Sequence, residues 1–217
     1  KIAKSNTTPP NFEEGVFNCI DKSKIDISKA SFFAHGTTVI INSITERKGV
    51  VTGLITTKGF RDSLEIARGD RPDFFNLRYK KPEPFIPRFL RTEIPGRINF
   101  LGNEIENLDL SNLQNIIKHF KKHQVQSIAI CLIHSYANPK HEIAVLNEIN
   151  KLWPEVEIVT SHQLTREWRE YERTNTTALC AYIKPIAKKY LDNLHSKLRN
   201  SNFTNTPYVM QSNGGID

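Results

Sequence analysis

The segment Val125-Gln126-Ser127-Ile128-Ala129-Ile130-Cys131-Leu132-Ile133 constrains the fold most. Its near-continuous apolar run has the length of a strand, and a strand without polar alternation is buried on both faces, as in a parallel sheet. Before it, Leu113, Ile116, Ile117 and Phe120 recur at helical spacing, which predicts a helix from a Ser111 cap to His123. After it, Asn138-Pro139 predicts a helix through Trp153, because Pro suits the first helical turn, and Val156–Thr160 predicts the next strand. Two strands joined by a helix make a βαβ unit and place the chain in the α/β class.

The flanking segments follow the same logic. Asn11 opens a helix with Phe12, Val16, Phe17 and Ile20 on one face. A strand is expected over Ala30–Ala34, a helix over Val39–Lys48 closed by Gly49, a strand over Val50–Thr56 and a helix over Phe60–Ala67. Arg68 to Asn107 reads as irregular, and Pro82, Pro84 and Pro87 hold that stretch extended. Glu170 to Arg199 is a long helical pattern with Ile183, Ala187, Tyr190, Leu191, Leu194 and Leu198 in a stripe; Pro185 is expected to kink or split it. Tyr208-Val209-Met210 predicts a strand running into Ser212-Asn213-Gly214-Gly215.

Composition narrows the function classes. The longest apolar run, Ile128 to Ile133, is far short of the ~20 residues of a membrane helix, so no membrane role is expected. Three separated cysteines, Cys19, Cys131 and Cys180, argue against a disulfide framework and fit a reducing, cytoplasmic setting. Among 217 residues the net charge is +7. Part of that excess is local: Arg78, Lys80, Lys81, Arg88 and Arg91 face one acid, Glu83. No nucleic-acid-binding motif accompanies it, so an anionic ligand or acidic partner is expected rather than nucleic acid. There is no initiator Met, and the chain reads as an internal piece of something longer.

Three places pair polar side chains with a strand-to-loop transition. In His35-Gly36-Thr37-Thr38 the hydroxyls either cap the next helix or bind an anion beside its free N–H groups. In Arg166-Glu167-Trp168-Arg169-Glu170-Tyr171-Glu172-Arg173-Thr174, Arg can clamp a carboxylate or phosphate and Glu can hold a metal or act as base, or the charges are ordinary helix-surface pairs. Gln211-Ser212-Asn213-Gly214-Gly215 is either a backbone cradle for an anion or a simple turn. His119 and His123 have a metal-like spacing, but Lys118, Lys121 and Lys122 around them favour a solvated face.

Taken in order, His35-Gly36-Thr37-Thr38-Val39 through Asn42 and Glu46-Arg47-Lys48-Gly49 look like the motif HGTTVATNALLERKG. Thr52 to Asp62, Leu64-Glu65-Ile66, Arg71-Pro72-Asp73, Lys81-Pro82-Glu83-Pro84, Arg169 to Thr174 and Met210 to Gly215 follow in sequence. The chain thereby resembles the hydantoinase A/5-oxoprolinase family along nearly its whole length. The resemblance implies a partial ribonuclease-H-like fold of the actin/sugar-kinase/Hsp70 ATPase type. It implies ATP-dependent opening of a cyclic amide (hydantoin, 5-oxoproline or lactam) by carbonyl phosphorylation, with ATP and Mg²⁺ as cofactors and a hydantoinase B-type subunit or domain as partner in an oligomer. Residues 1–168 would be the N-terminal domain without its first strand and phosphate loop, and 169–217 a long helix with the start of the second domain.

Carried onto this chain, the resemblance makes Glu172 and His35 the catalytic candidates. Thr37, Thr38, Asn42, Arg169, Glu170, Arg173, Gln211, Ser212, Asn213 and Gly214 become candidates for holding substrate or phosphate. Neither the family's Asp-x-Gly-Gly-Thr loop nor its second glycine-rich segment occurs in these residues, so no ATP hydrolysis is expected of them alone. Ile41 stands where the family has Thr. An acetone/acetophenone-type carboxylase subunit and a non-catalytic module docking through the proline-rich basic stretch are the alternatives.

Overall fold

The structure is a computed structural model and describes residues 1–70, 73, 75–211, 215 and 216. Along the chain run α1 (Phe12–Ser23), β1 (Ala34–His35), α2 (Val39–Thr45), β2 (Thr52–Thr57), α3 (Ser63–Ile66), β3 (Arg91–Ile94), β4 (Arg97–Ile98) and β5 (Glu104–Glu106). There follow α4 (Leu113–Lys122), β6 (Ser127–Cys131), α5 (Lys140–Leu152), β7 (Glu157–Thr160), α6 (Ser161–Leu164), α7 (Glu170–Asn200) and β8 (Tyr208–Val209). These elements form two compact units, one of residues 47–185 and one of residues 1–46 with 186–217.

The larger unit is built on a four-stranded sheet, order β3-β2-β6-β7, in which every neighbouring pair is parallel. Every residue of β2 and β6 is buried, as the unbroken apolar run requires. Leu113, Ile116, Ile117 and Phe120 are the buried face of α4. The Phe120 ring lies over Gly53 of β2, where an added Cβ would sit 2.7 Å from the ring edge, so only glycine admits that approach. Val145 and Ile149 of α5 complete the packing against the sheet.

The segment expected to be irregular holds β3, β4 and β5. Arg91-Thr92-Glu93-Ile94 disguises a strand because a charged residue opens it. Arg91 is nevertheless buried, with Nε donating to the Ile86 carbonyl at 2.8 Å and Nη1 paired to Glu65 at 3.0 Å. The proline run packs on the unit's own surface: Ile86 is fully buried and the Phe85 ring meets Tyr182 at 5.0 Å.

In the smaller unit, Leu194, Leu198 and Phe203 form a core with Val16, Phe17, Ile27, Ala30 and Phe33 packed against it. β1 and β8 pair in parallel, with Ala34 opposite Tyr208 and His35 opposite Val209. The strand expected over Ala30–Ala34 is only Ala34–His35, because Asp26 instead caps a single helical turn over Ile27–Lys29.

Helix ends also differ. α2 stops at Thr45, before a left-handed Arg47 (φ 52°), rather than reaching Gly49. Gly49 instead serves a close approach to the Tyr182 ring. The helix expected over Phe60–Ala67 is the single turn α3, ended by a left-handed Ala67. Asn112 rather than Ser111 occupies the cap position of α4. Pro185 does not split α7, which continues to Asn200, although the larger unit ends at that residue.

Candidate functional site

In the larger unit the polar chemistry gathers where parallel strands end, the usual place for a ligand crevice in an α/β sheet. Thr56 and Thr57 close β2: the Thr56 hydroxyl donates to the Cys131 carbonyl at 2.9 Å, and Thr57 Oγ1 accepts from the Ile133 N–H at 3.0 Å. Beyond β6 and β7 lies a buried network centred on Glu142 of α5. Its carboxylate accepts from Leu132 N at 2.9 Å, Ser161 Oγ at 2.6 Å, His162 N at 3.0 Å and His162 Nδ1 at 2.7 Å. Burial pushes this carboxyl up, but the bonds from His162, Ser161 and the two backbone N–H groups outweigh burial and hold it below the ordinary carboxylate value.

Arg173 supplies the opposite charge. Its Nη1 donates to Ser135 Oγ and Ser161 Oγ, both at 2.6 Å, and lies 3.8 Å from Glu142. Among the described residues its buried Nε has no hydrogen-bond partner, and neither has the buried Ser63 Oγ. Both residues line a tight crevice with Thr56, Phe60, Cys131 and Glu170. Phe60, Ser63 and Glu170 are shared with a cavity of about 190 Å³, also lined by Gly59, Asp62 and Tyr171. The crevice itself leaves no room for a water-sized group, so only Ser63 and Glu170, which also line the adjoining cavity, can meet a ligand there. Burial pushes the Cys131 thiol up, which marks it as packing rather than nucleophile.

Thr174 is buried beside Cys131, 3.2 Å from its sulfur, whereas Arg169 and Glu172 have partners nearer the surface. Arg169 lies over its neighbour Trp168, 5.2 Å from the ring, and Glu172 pairs with Arg68 at 2.7 Å, the bond that lowers its pKa. His119 donates through Nε2 to the Phe89 carbonyl at 2.8 Å. Among the described residues no three His, Cys, Asp or Glu side chains gather to hold a metal.

In the smaller unit, the β1–β8 pair brings His35 beside Val209 and Met210. Met210 N donates to the His35 carbonyl at 2.9 Å, and Gly36 leaves 3.3 Å between its absent Cβ and Met210 Sδ. Gln211 N donates to the Gly215 carbonyl at 2.7 Å; Ser212, Asn213 and Gly214 lie outside the described residues, as do Arg71 and Pro72. The half-buried His35 ring meets Tyr190 Oη through Nε2 at 2.6 Å, and burial lowers its pKa. Thr37 Oγ1 accepts from Val39 N at 3.2 Å at the start of α2. Thr38 holds the cap position without a side-chain bond, and Asn42 is exposed.

Sequence reasoning did not single out Glu142, Ser135, Ser161, His162, Ser63 or Tyr190. Glu142 reads as an ordinary first-turn acid of a helix, and Tyr190 as one position in an apolar stripe.

The model for the hydantoinase/oxoprolinase N-terminal region matches residues 1–153, and that for hydantoinase/oxoprolinase matches 173–217. The chain belongs to the hydantoinase/oxoprolinase family. It is 33% identical over 192 residues to caprolactamase subunit alpha of Pseudomonas jessenii, covering 88% of this chain and 28% of the relative. It is 30% identical to the 5-oxoprolinase of Saccharomyces cerevisiae, covering 88% of this chain and 17% of that protein. The crystal structure of ATP-dependent caprolactamase from Pseudomonas jessenii superposes with a TM-score of 0.87 at 31% identity, over 99% of this chain and 32% of that one. A nucleotide-free acetone carboxylase structure matches in fold with a TM-score of 0.85 at 22% identity, over 99% of this chain and 33% of that one. The hydantoinase/oxoprolinase chain thus spans a third or less of these relatives. The expected α/β class and partial actin-like ATPase type of fold hold in the structure. Among the described residues no helix is long and apolar enough to cross a membrane.

Proposed function

We propose that this chain is part of a cytoplasmic, ATP-dependent enzyme that opens the C–N bond of a small cyclic amide (a lactam, 5-oxoproline or hydantoin) together with a hydantoinase B-type subunit or domain. The observation that carries the reading is the match to caprolactamase subunit alpha along most of this chain, in sequence and in fold. In that reading 1–168 and 169–217 are segments of two successive family domains, and the working protein is an oligomer.

The chemistry of the larger unit supports a small amide. A ring amide presents a carbonyl oxygen and an N–H, and the 190 Å³ cavity is lined by Ser63, whose hydroxyl can donate, and Glu170, whose carboxylate can accept. In the smaller unit, His35, Thr37, Thr38, Asn42 and Gln211, with Ser212, Asn213 and Gly214, would contact substrate or phosphate. Arg169 and Glu172 remain candidates of the same kind.

The residues present do not fit Mg²⁺. The Glu142 carboxylate is committed to four donors, that of Glu172 to Arg68, and no metal-sized cluster forms among the described residues.

A carboxylase subunit is the second reading, favoured by 28% identity to the acetophenone carboxylase gamma subunit of Aromatoleum aromaticum over 99% of this chain. The complete protein with its partner separates the two. ATP-dependent ring opening of caprolactam, 5-oxoproline or hydantoin is expected. Bicarbonate-dependent carboxylation of a ketone without ring opening would overturn the hydrolase reading.

A further inference from the structure

Two neighbouring cavities of the larger unit share a wall. The cavity of about 190 Å³ that holds Ser63 and Glu170 is lined by Ala67 and Tyr171. The same two residues line a second cavity of about 250 Å³. The turn α3 runs between the two: Ser63 and Ile66 face the first, Leu64 and Glu65 the second. Tyr171, in the first turn of α7, is partly buried and packs against the core of the unit.

The wall is tied on both sides of Ala67. This residue ends α3 at φ 54° and ψ −131°, a strained conformation for an L side chain, and strain of that kind gathers at ligand clamps. The Ile66 carbonyl before it accepts from Lys81 Nζ at 2.9 Å, and Arg68 after it pairs with Glu172 at 2.7 Å. Glu172 follows Tyr171 directly on α7, so the bond that holds Arg68 also keeps the start of α7 beside Ala67.

Size decides what each cavity takes. A cavity of about 150 Å³ is enough for one benzene ring. The 190 Å³ cavity therefore takes one small ring and leaves no space for a second group of that size, whereas the 250 Å³ cavity has that space. Leu64, Tyr79, Pro82 and Pro84 give the second cavity apolar and aromatic walls. Its acids Asp70 and Glu83 face one cation, Lys81, whose ammonium already bonds the Ile66 carbonyl. An uncharged, apolar group suits it and a carboxylate does not.

We infer that Tyr171 is the specificity-determining residue of this site: with the Ala67 methyl it confines a bare monocyclic amide to the smaller cavity and excludes a ring whose bulky substituent needs the second one. The identity of the ring rests on the proposed function; the division of the space does not.

The test compares hydantoin with 5-benzylhydantoin in the complete enzyme with its partner, by rate of ring opening and by calorimetric binding. The wild type is expected to favour the bare ring in both. Tyr171→Ala joins the cavities and should raise the benzyl-to-bare ratio of kcat/KM, and of affinity, about ten-fold or more, as fit in a hydrophobic pocket commonly does. Tyr171→Phe keeps the aromatic wall and should keep the wild-type ratio. Ala67→Gly removes only the methyl and relieves the left-handed strain, so it folds where Tyr171→Ala fails to, and it should raise the ratio by less. Wild-type enzyme that takes 5-benzylhydantoin as readily as hydantoin overturns the inference. So does an unchanged ratio in folded Tyr171→Ala or in Ala67→Gly, or binding of neither ring by any of these proteins. Binding in the expected ratios without ring opening overturns the hydrolase reading and leaves the role of Tyr171 standing, so the two fail separately.

Discussion

Removing the Glu142 carboxylate should cost the larger unit more than any other single truncation at the strand ends. Four buried donors converge on it, at 2.6 to 3.0 Å, and each would be left without an acceptor in Glu142→Ala. An orphaned buried donor costs about 1–3 kcal/mol, though neighbouring orphans share one cavity and do not add in full. Arg173, itself 1% exposed and 3.8 Å away, would lose its countercharge; breaking a buried ion pair typically costs about 3–5 kcal/mol. We expect a loss of about 4–5 kcal/mol, a large share of the stability of an ordinary domain. Glu142→Gln keeps the shape and one acceptor oxygen and should lose about half as much. Arg173→Met removes the stranded charge, so the double variant Glu142→Ala/Arg173→Met should be less damaged than the two single losses together, by about 1–3 kcal/mol. Urea unfolding followed by tryptophan fluorescence reads this unit selectively, because Trp153 and Trp168 both lie within 47–185. A loss below about 1 kcal/mol in Glu142→Ala, or strict additivity in the double variant, would refute the network as the organiser of these strand ends.

Stability should also fall as pH drops. His35 and His134 both have lowered pKa values, from burial and, for His134, also from Arg97 and Arg173, so the unfolded chain takes up protons first. Their contribution is complete above about pH 6.5 and is lost from there down toward the folded values; a second loss, from Glu142, follows below about pH 4.3. A melting temperature that stays flat or rises from pH 7.5 to 5 would contradict this. Gly53→Ala should destabilise the larger unit by about 1–3 kcal/mol in urea, because its Cβ would meet the Phe120 ring at 2.7–2.9 Å; an unchanged midpoint would show that the ring moves aside freely. Arg68→Ala breaks only an exposed pair with Glu172 and should change stability by less than about 1 kcal/mol. In the complete enzyme, Glu172→Gln should lower kcat/KM by more than 100-fold if that carboxylate touches substrate, and near-normal turnover would remove it from the site.

The sheet was legible wherever burial is apolar. Ile128 to Cys131 could only be an inner strand, and the stripe Leu113, Ile116, Ile117, Phe120 only a helix packed on it. The reading failed where burial is polar. β3 begins with Arg91, and its place in the core depends on Glu65 and the Ile86 carbonyl, partners 26 and 5 residues away that no local pattern reveals. Glu142 is hidden for the same reason: its donors come from Leu132 just after β6 and from Ser161 and His162 at the start of α6, which only the folded sheet brings together. Long motifs identified the family correctly although none of them contains Arg91, Glu142, Ser161 or His162.

The motif Arg169-Glu170-Tyr171-Glu172-Arg173-Thr174 shows what motif matching leaves undecided. A helix turns about 100° per residue, so neighbours in the motif do not share a face. Arg173, Thr174, Thr177, Ala178 and Ala181 are buried at the spacings of one inward stripe, while Arg169 and Glu170 are exposed and Glu172 reaches Arg68. One recurrent string therefore contains two kinds of residue. Arg173 holds the ends of β6 and β7 through Ser135 and Ser161. Its replacement must register in stability before it registers in activity. Glu170 lines the cavity without supporting the fold, so only activity can report its loss. The helical period, rather than recurrence of the motif, separates the residues that build the crevice from those that face what enters it.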